Sequence, residues 1–425
     1  MTLSHYSWKN GPAPIQQHSV AKHRILQSYL SAYFQTLVSS PNQDVLRLTL
    51  VDGFAGGGLY YHTDTNELIK GSPFICLNAT READFLINKD RHKPVQLDVS
   101  YFFIEAERDA HLHLDKVLRE EGYGSALDNS IHLRHAKFQE EADGVIQFIK
   151  KKSPRNGRSI FILDQYGYKD VPTEIIQKIF ANLPSAEIIL TFGVDSFLNF
   201  ASDKQLTQDI LNEIGIPQLW QGKTLDEIKK SERDWRYFIQ SALYKNLVTR
   251  CGAEYFTPFF IRNKKGHGDY WLIHMSQHHR ARDVMTEVHW DNHNYFIHYG
   301  GAGLNMFQMV GYDPEHDSSF KKQFDLGFEF DDVAKNASIA SLMEQIPRLI
   351  YAHDKGMSFG ELFAKTCNTS PASASIYRDT IGYLLNEKII EAISVDDVNR
   401  RSGHQIKHKD QIVPPRQKGF FFFEE

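Results

Sequence analysis

The chain has 425 residues, 41% hydrophobic and 24% charged, with 48 Lys and Arg against 53 Asp and Glu, a formal charge of −5. That length carries two or three domains with a large core, and that composition excludes a mostly disordered chain. The slightly acidic balance excludes a uniformly basic nucleic-acid sleeve and leaves room for a local basic patch.

Residues 18–38 place Ile25, Leu26, Tyr29, Leu30, Tyr33, Phe34 and Leu37 at three- and four-residue spacing, which predicts an amphipathic helix. Leu46–Phe54 is a short apolar run ending in glycines and reads as a strand. A loop is expected to Gly71, after which Ser72-Pro73 opens a helix, with Ser72 as its cap. The alternation continues with strands at Val99–Glu105, Ser130–Leu133, Ser159–Asp164 and Glu187–Phe192. Helices at Arg108–Glu120, Gln139–Lys151 and Pro172–Asn182 lie between them. Strands alternating with helices predict right-handed crossovers and a doubly wound, mostly parallel α/β sheet. Residues 203–250 read as a charged helical insertion. Tyr255–Ile261 and Tyr270–His274 then predict a β-hairpin with a basic tip, which would end the sheet with an antiparallel strand. Further on, Ile339–His353 reads as a helix, Ser358-Phe359-Gly360-Glu361 as a capping box opening a second, and Ser370-Pro371 as the start of a third. Strands at Ile389–Ile393 and Gly419–Phe423 would form a wing, so residues 339–425 fit a small α+β winged helix-turn-helix domain. Residues 1–300 are then one α/β domain, with its insertion at about 200–250, and 301–338 a linker.

The segment Asp52-Gly53-Phe54-Ala55-Gly56-Gly57-Gly58 leaves the first of these strands. Its glycines allow close approach of a ligand or simply make a tight turn. The order is D-x-F-x-G-x-G rather than the G-x-G-x-x-G of nicotinamide cofactors. It suits S-adenosylmethionine, which carries no phosphate, and leaves an NAD-binding sheet as the poorer alternative. Glu105 ends the second strand, where a carboxylate can hold ribose hydroxyls or be a solvated strand-end acid. Asp164 and Tyr166 follow a later strand. There they could orient a methyl acceptor and stack on a flat base, or form a self-bonded turn.

Together these stretches resemble the three-Cys-motif partner protein family, which is similar to class I S-adenosylmethionine-dependent methyltransferases. The matching residues are Lys22-His23, Ile25-Leu26, Tyr29-Leu30, Val51–Gly58, Gly71-Ser72-Pro73, Phe103–Glu105, Phe161–Gly167 and Leu272–Trp290, across about 18–290. The resemblance implies a Rossmann-like methyltransferase sheet with Asp52, Gly53, Phe54, Ala55, Gly56 and Gly58 cradling the cofactor. It also implies a protein partner that carries a three-cysteine motif. The chain has Asp164-Gln165-Tyr166-Gly167 where the family tends to have Asp-Pro-Phe-Gly. It has His135-Ala136-Lys137-Phe138 where an acid often meets the adenine, which leaves Phe138 to pack there. These departures motivate the alternative of an inactive methyltransferase-fold adaptor.

Basic residues suggest how nucleic acid would be held. Arg262, Lys264 and Lys265 form the hairpin tip, or only a solvated turn. Arg378 lies on the third C-terminal helix, and Arg400, Arg401, Lys407 and Lys409 in the wing. Lys150-Lys151-Lys152 sits at a helix end and complements its dipole. His274 with His278, and His289 with His293, have helical spacing but lack a completing ligand, so no metal is expected. The three scattered cysteines, Cys76, Cys251 and Cys367, form neither a disulfide framework nor a CxxC pair, which points to a reducing cytoplasm. No signal core opens the chain and no apolar run nears the ~18 residues of a membrane span. The sequence therefore predicts a cytoplasmic S-adenosylmethionine-dependent methyltransferase acting on DNA or RNA.

Overall fold

The computed structural model describes residues 7–38, 43–165, 170–193, 212, 248–261, 270–292, 296–297, 301–304, 306, 330–353 and 355–415. It divides into two compact units, Met1–Ile297 and His298–Glu425. Tyr166, the hairpin tip with Arg262, Lys264 and Lys265, and most of the expected helical insertion lie outside the described residues. Among the described residues no helix is long and apolar enough to cross a membrane. Cys76, Cys251 and Cys367 are buried and form no disulfide among the described residues.

In the first unit, β1 (Ala13–Ile15) precedes α1 (Gln17–Leu37). Ala21, Ile25, Leu26, Tyr29, Leu30, Tyr33 and Phe34 of α1 are all buried, as their spacing predicts. Strand β2 (Val45–Asp52) is buried along its last five residues, since helices cover both faces of the sheet. The expected loop to Gly71 instead contains β3 (Leu59–His62) and β4 (Leu68–Lys70). A turn with Asn66 at φ +57° joins them, and β3 pairs in parallel with β1. These strands are too short for periodicity to announce them. Helix α2 (Ser72–Asn88) is capped by Gly71, not Ser72. Gly71 N–H donates to Gly58 O at 2.8 Å, so the chain is already extended there.

Then follow β5 (Gln96–Glu105), α3 (Arg108–Glu120), β6 (Ile131–His135), α4 (Phe138–Lys152), β7 (Ser159–Leu163), α5 (Thr173–Asn182) and β8 (Ala186–Gly193). The unit closes with β9 (Tyr255–Ile261), β10 (Tyr270–Ser276), α6 (His279–Asp291) and β11 (Phe296–Ile297). The main sheet has the order β11-β9-β10-β8-β7-β2-β5-β6. Strands β6, β5, β2, β7 and β8 are parallel, and β10 runs antiparallel to both β8 and β9. The chain winds from β2 out to β6, then returns to β7 on the other side. The crevice beyond the carboxyl ends of β2 and β7 is therefore the topological switch point, where ligands of doubly wound sheets bind. The basic run at the end of α4 lies at the opposite end of the sheet. There Lys152 Nζ meets Asp98 at 2.9 Å and the Ser100 hydroxyl at 2.6 Å.

The second unit comprises α7 (Asp332–Tyr351), β12 (Met357–Ser358), α8 (Phe359–Thr366), α9 (Ala374–Asn386), β13 (Glu391–Ile393) and β14 (Gln411–Val413). Asp331 caps α7 through the Ala334 N–H, so that helix begins before the expected Ile339. Ser358 and Glu361 form the expected capping box. Ser370 accepts the Ala372 N–H in a turn, which delays the start of α9 to Ala374. The strand that pairs with β13 is β14, and the expected strand 419–423 lies outside the described residues. Leu342, Ile346, Leu362, Tyr377, Ile381, Leu384 and Ile412 form the core of this unit.

Candidate functional site

The glycine loop begins where β2 ends. Gly56 (φ +61°) and Gly58 (φ +79°) occupy the left-handed region that side chains disfavour. A Cβ on Gly57 would lie 2.2 Å from the Trp8 indole nitrogen, and one on Gly58 would lie 2.7 Å from Leu114. Trp8 itself donates to Leu59 O at 3.1 Å, so the N-terminal segment is strapped across the loop. His113 and Gly57 O hydrogen-bond at 2.6 Å.

Four successive N–H groups of the loop are spent within the protein. Gly53 donates to Ile162 O, Phe54 to Asp52 Oδ1, Ala55 to Ile104 O and Gly56 to Glu105 Oε2. A phosphate would have to break those bonds to be cradled here. Acids surround the loop instead. Asp52, Glu105 and Asp164 stand at or just beyond the carboxyl ends of the neighbouring strands β2, β5 and β7.

Each acid has a different environment. Asp52 is 1% exposed, and its Oδ2 is buried with no hydrogen-bond partner. Burial pushes its pKa up to about 7; the nearby Ser72 hydroxyl and the Phe54 N–H oppose the rise, and Asp164 and Glu105 add to it. Burial also raises Glu105, against the N–H groups of Glu107 and Gly56, each 2.7 Å from the carboxylate. Asp164 is pushed up by burial, but Lys22 more than reverses this and holds it below the ordinary carboxylate range. Lys22 Nζ lies 2.5 and 2.7 Å from the two Asp164 oxygens, with the Lys22 side chain only 12% exposed.

Residue assignments from sequence left Lys22 and His23 without a role, although Lys22 lies four residues before the buried Leu26 on the apolar side of α1. A lysine in such a stripe is a signal that it has a partner. Burial lowers the His23 pKa to about 4, with Asp164 opposing, so this histidine is neutral at pH 7. Its Nδ1 is buried without a hydrogen-bond partner, and its ring centroid is 6.2 Å from that of Tyr60.

Phe138 is 2% exposed and lies beneath the loop, where a Cβ on Gly53 would be 3.0 Å from its ring. Gln165, where the resembling family has proline, is buried and accepts the N–H groups of Asp170 and Val171 at 3.0 and 3.2 Å. Its amide thus ties Gln165 to the start of the segment that leads into α5. Among the histidines, His274 is buried against Tyr29 and Glu187, and His278 accepts the Arg280 N–H at the start of α6. No group of three or more His, Cys, Asp or Glu among the described residues is placed to hold a metal.

Of the wing residues, Arg401, Lys407 and Lys409 are exposed. Arg400 instead forms two hydrogen bonds with Asp410, at 2.7 and 3.2 Å. The Arg378 guanidinium stacks 4.7 Å above the Phe359 ring, and its Nε donates to Ile406 O at 3.2 Å.

The first unit is thus a methyltransferase-like α/β sheet with an acid-ringed glycine loop at its switch point. Residues 311–397 of the second match the family model of the GMT-like wHTH domain, a winged helix-turn-helix. Solved structures similar to the chain include a Legionella pneumophila protein (10% identity, TM-score 0.34, 61% of this chain and 85% of that one). Another is a Streptococcus pneumoniae protein described as a candidate tRNA (m1A22) methyltransferase (11%, 0.24, 61% and 83%). A third is a candidate S-adenosylmethionine-dependent methyltransferase of Methanococcus maripaludis (10%, 0.25, 61% and 90%). The fold assignment for the first unit rests on its strand order. No curated protein matches the chain.

Proposed function

We propose that the first unit is an S-adenosylmethionine-dependent methyltransferase whose methyl acceptor lies on a nucleic acid. The observation that carries this is the chemistry of the loop. Its N–H groups from Gly53 to Gly56 are already satisfied, and three carboxylates surround it. Such a cradle repels phosphates and suits a cofactor with an ammonium and a sulfonium. The buried, unpartnered Oδ2 of Asp52 fits a cationic ligand. When bound, the cofactor supplies an electrophilic methyl group. Gly53–Gly58 would seat its amino-acid end, and Glu105 has lone pairs left for the ribose. Asp164, ionised by Lys22, would orient the acceptor from the far side of the switch point. Holding donor and acceptor in line supplies most of the acceleration in such a displacement. Tyr166 belongs to the same proposal as a stacking surface for the base.

Membership of the three-Cys-motif partner family, a partner protein carrying that motif, and a cytoplasmic setting are parts of this proposal. The three cysteines, buried and not joined in disulfides among the described residues, agree with the last of these.

The test is calorimetry with S-adenosylmethionine, followed by transfer of labelled methyl to DNA, RNA and protein pools. The expected result is binding that Glu105→Ala abolishes, and labelling of one nucleic-acid pool that Asp164→Ala abolishes. Binding without labelling would favour the adaptor reading, which the full engagement of Asp164 by Lys22 also suits. An absence of binding would reject both the enzyme and its cofactor.

A further inference from the structure

Winged helix-turn-helix domains generally place their third helix in a groove. Here that helix is α9, and two observations argue against such use. The first is its exposed positions, Ser375, Tyr383 and Asn386, which carry no Lys or Arg. Between them the partly buried Asp379 pairs with Lys335 at 3.2 Å and would bring a carboxylate toward phosphates if α9 entered a groove. Arg378, the one basic residue of α9, is turned inward onto Phe359 and Ile406. The second observation is a backbone-on-backbone approach. A Cβ on Gly382 would lie 3.1 Å from the Gly403 nitrogen, and one on Gly403 would lie 1.9 Å from Arg378 O. The wing segment is therefore laid along α9 and closes one flank of it.

The segment that closes the helix is itself the basic surface. Asp410 neutralises Arg400 and accepts the Lys407 N–H at 2.9 Å, which pins both ends of the turn. Arg401, Lys407 and Lys409 remain on its exposed side, together with His404 and His408. A pinned turn carrying three cations suits phosphate oxygens, with Arg401 offering a planar fork.

We propose that the second unit binds nucleic-acid backbone through Arg401, Lys407 and Lys409 without reading sequence, and that α9 does not enter a groove. This deepens the nucleic-acid half of the proposed function; the cofactor half is tested separately by calorimetry on the same preparations. The shared chemistry is the phosphodiester, and separate DNA and RNA arms tell its sources apart.

The experiment uses the full chain and fluorescence anisotropy with labelled probes of about 20 base pairs. Two DNA duplexes of unrelated sequence and one RNA duplex are titrated over a range of salt. Wild type should bind the two DNA duplexes within about threefold of each other, or bind the RNA duplex. Charge reversal at Arg401→Glu, Lys407→Glu and Lys409→Glu together should flatten the slope of log K against log salt by about 2.7 on the bound probe, from three lost phosphate contacts. The α9 pair Tyr383→Ala and Asn386→Ala should leave affinity within about twofold. Circular dichroism and a urea-unfolding curve for the charge-reversed chain that match wild type show that both units are folded. The proposal is overturned if wild type binds no duplex, or binds polyglutamate in place of duplexes. It is also overturned if the two DNA sequences differ by more than about thirtyfold in affinity, if the salt slope survives charge reversal, or if the α9 pair removes binding.

Discussion

Asp52 offers the sharpest test of the proposed cofactor site. In the folded chain its carboxyl is pushed to about 7, chiefly by burial. The unfolded chain holds it near 3.9. Between those values the folded state binds a proton that the unfolded state releases, so stability falls as pH rises from about 4 to about 7. The gap corresponds to as much as about 4 kcal/mol at neutral pH. Asp52→Asn keeps an oxygen for the Phe54 N–H and removes the titration. The advantage of the variant over wild type should therefore be small near pH 4, grow to a few kcal/mol near pH 7, and then level off. Urea unfolding of both proteins at several pH values, followed by the fluorescence of the first unit, measures that difference. A cation bound beside Asp52 favours its ionised form, so wild-type affinity for S-adenosylmethionine should increase over the same pH range, while the variant binds weakly throughout. An unfolding difference that stays constant from pH 4 to pH 8 would refute the reasoning.

Two further perturbations probe neighbours of the loop. Lys22→Met leaves Asp164 half-buried and without its cation, at a cost of about 2 kcal/mol after discounting for the exposure of the pair. Adding Asp164→Asn should recover most of the loss, as a double-mutant cycle by urea unfolding would show. Gly57→Ala drives a Cβ into Trp8 and should cost about 1–3 kcal/mol. Trp8→Ala in the same chain should relieve the clash, so thermal unfolding of the double variant should fall short of the sum of the single effects.

Much of the first unit was legible because buried parallel strands and amphipathic helices leave strong, distinct periods. Helix α3 and strand β9 have the bounds their patterns predict. The glycine loop and Glu105 were also visible, since a strand running into glycines has few other meanings. The short hairpin β3–β4 was not, because three or four residues are too few to show a period. Nor was the partner of Asp164, which lies 142 positions away on α1. Charge alone could not separate Arg400 and Arg378 from Arg401. All three read as basic wing or helix residues, and only the fold turns the first toward Asp410 and the second toward Phe359. Strand β14 was not legible either, because in Gln411–Val413 Ile412 alone is buried, and the aromatic run expected as a strand at 419–423 lies outside the described residues.

Helix α1 joins two regions that look unrelated in sequence. Near its start it delivers Lys22 to Asp164, and about 10 Å further along the Tyr29 hydroxyl donates to Glu187 and lies 3.0 Å from His274 Nε2. A 21-residue helix spans about 31 Å and resists bending over so short an interval. It therefore acts as a rod clamped at its middle in the core, with a tip at the crevice. A substitution at Glu187 or His274, far from any bound molecule, would reset the aim of Lys22. In a survey of random variants, loss of activity would then map to the clamp as readily as to the crevice.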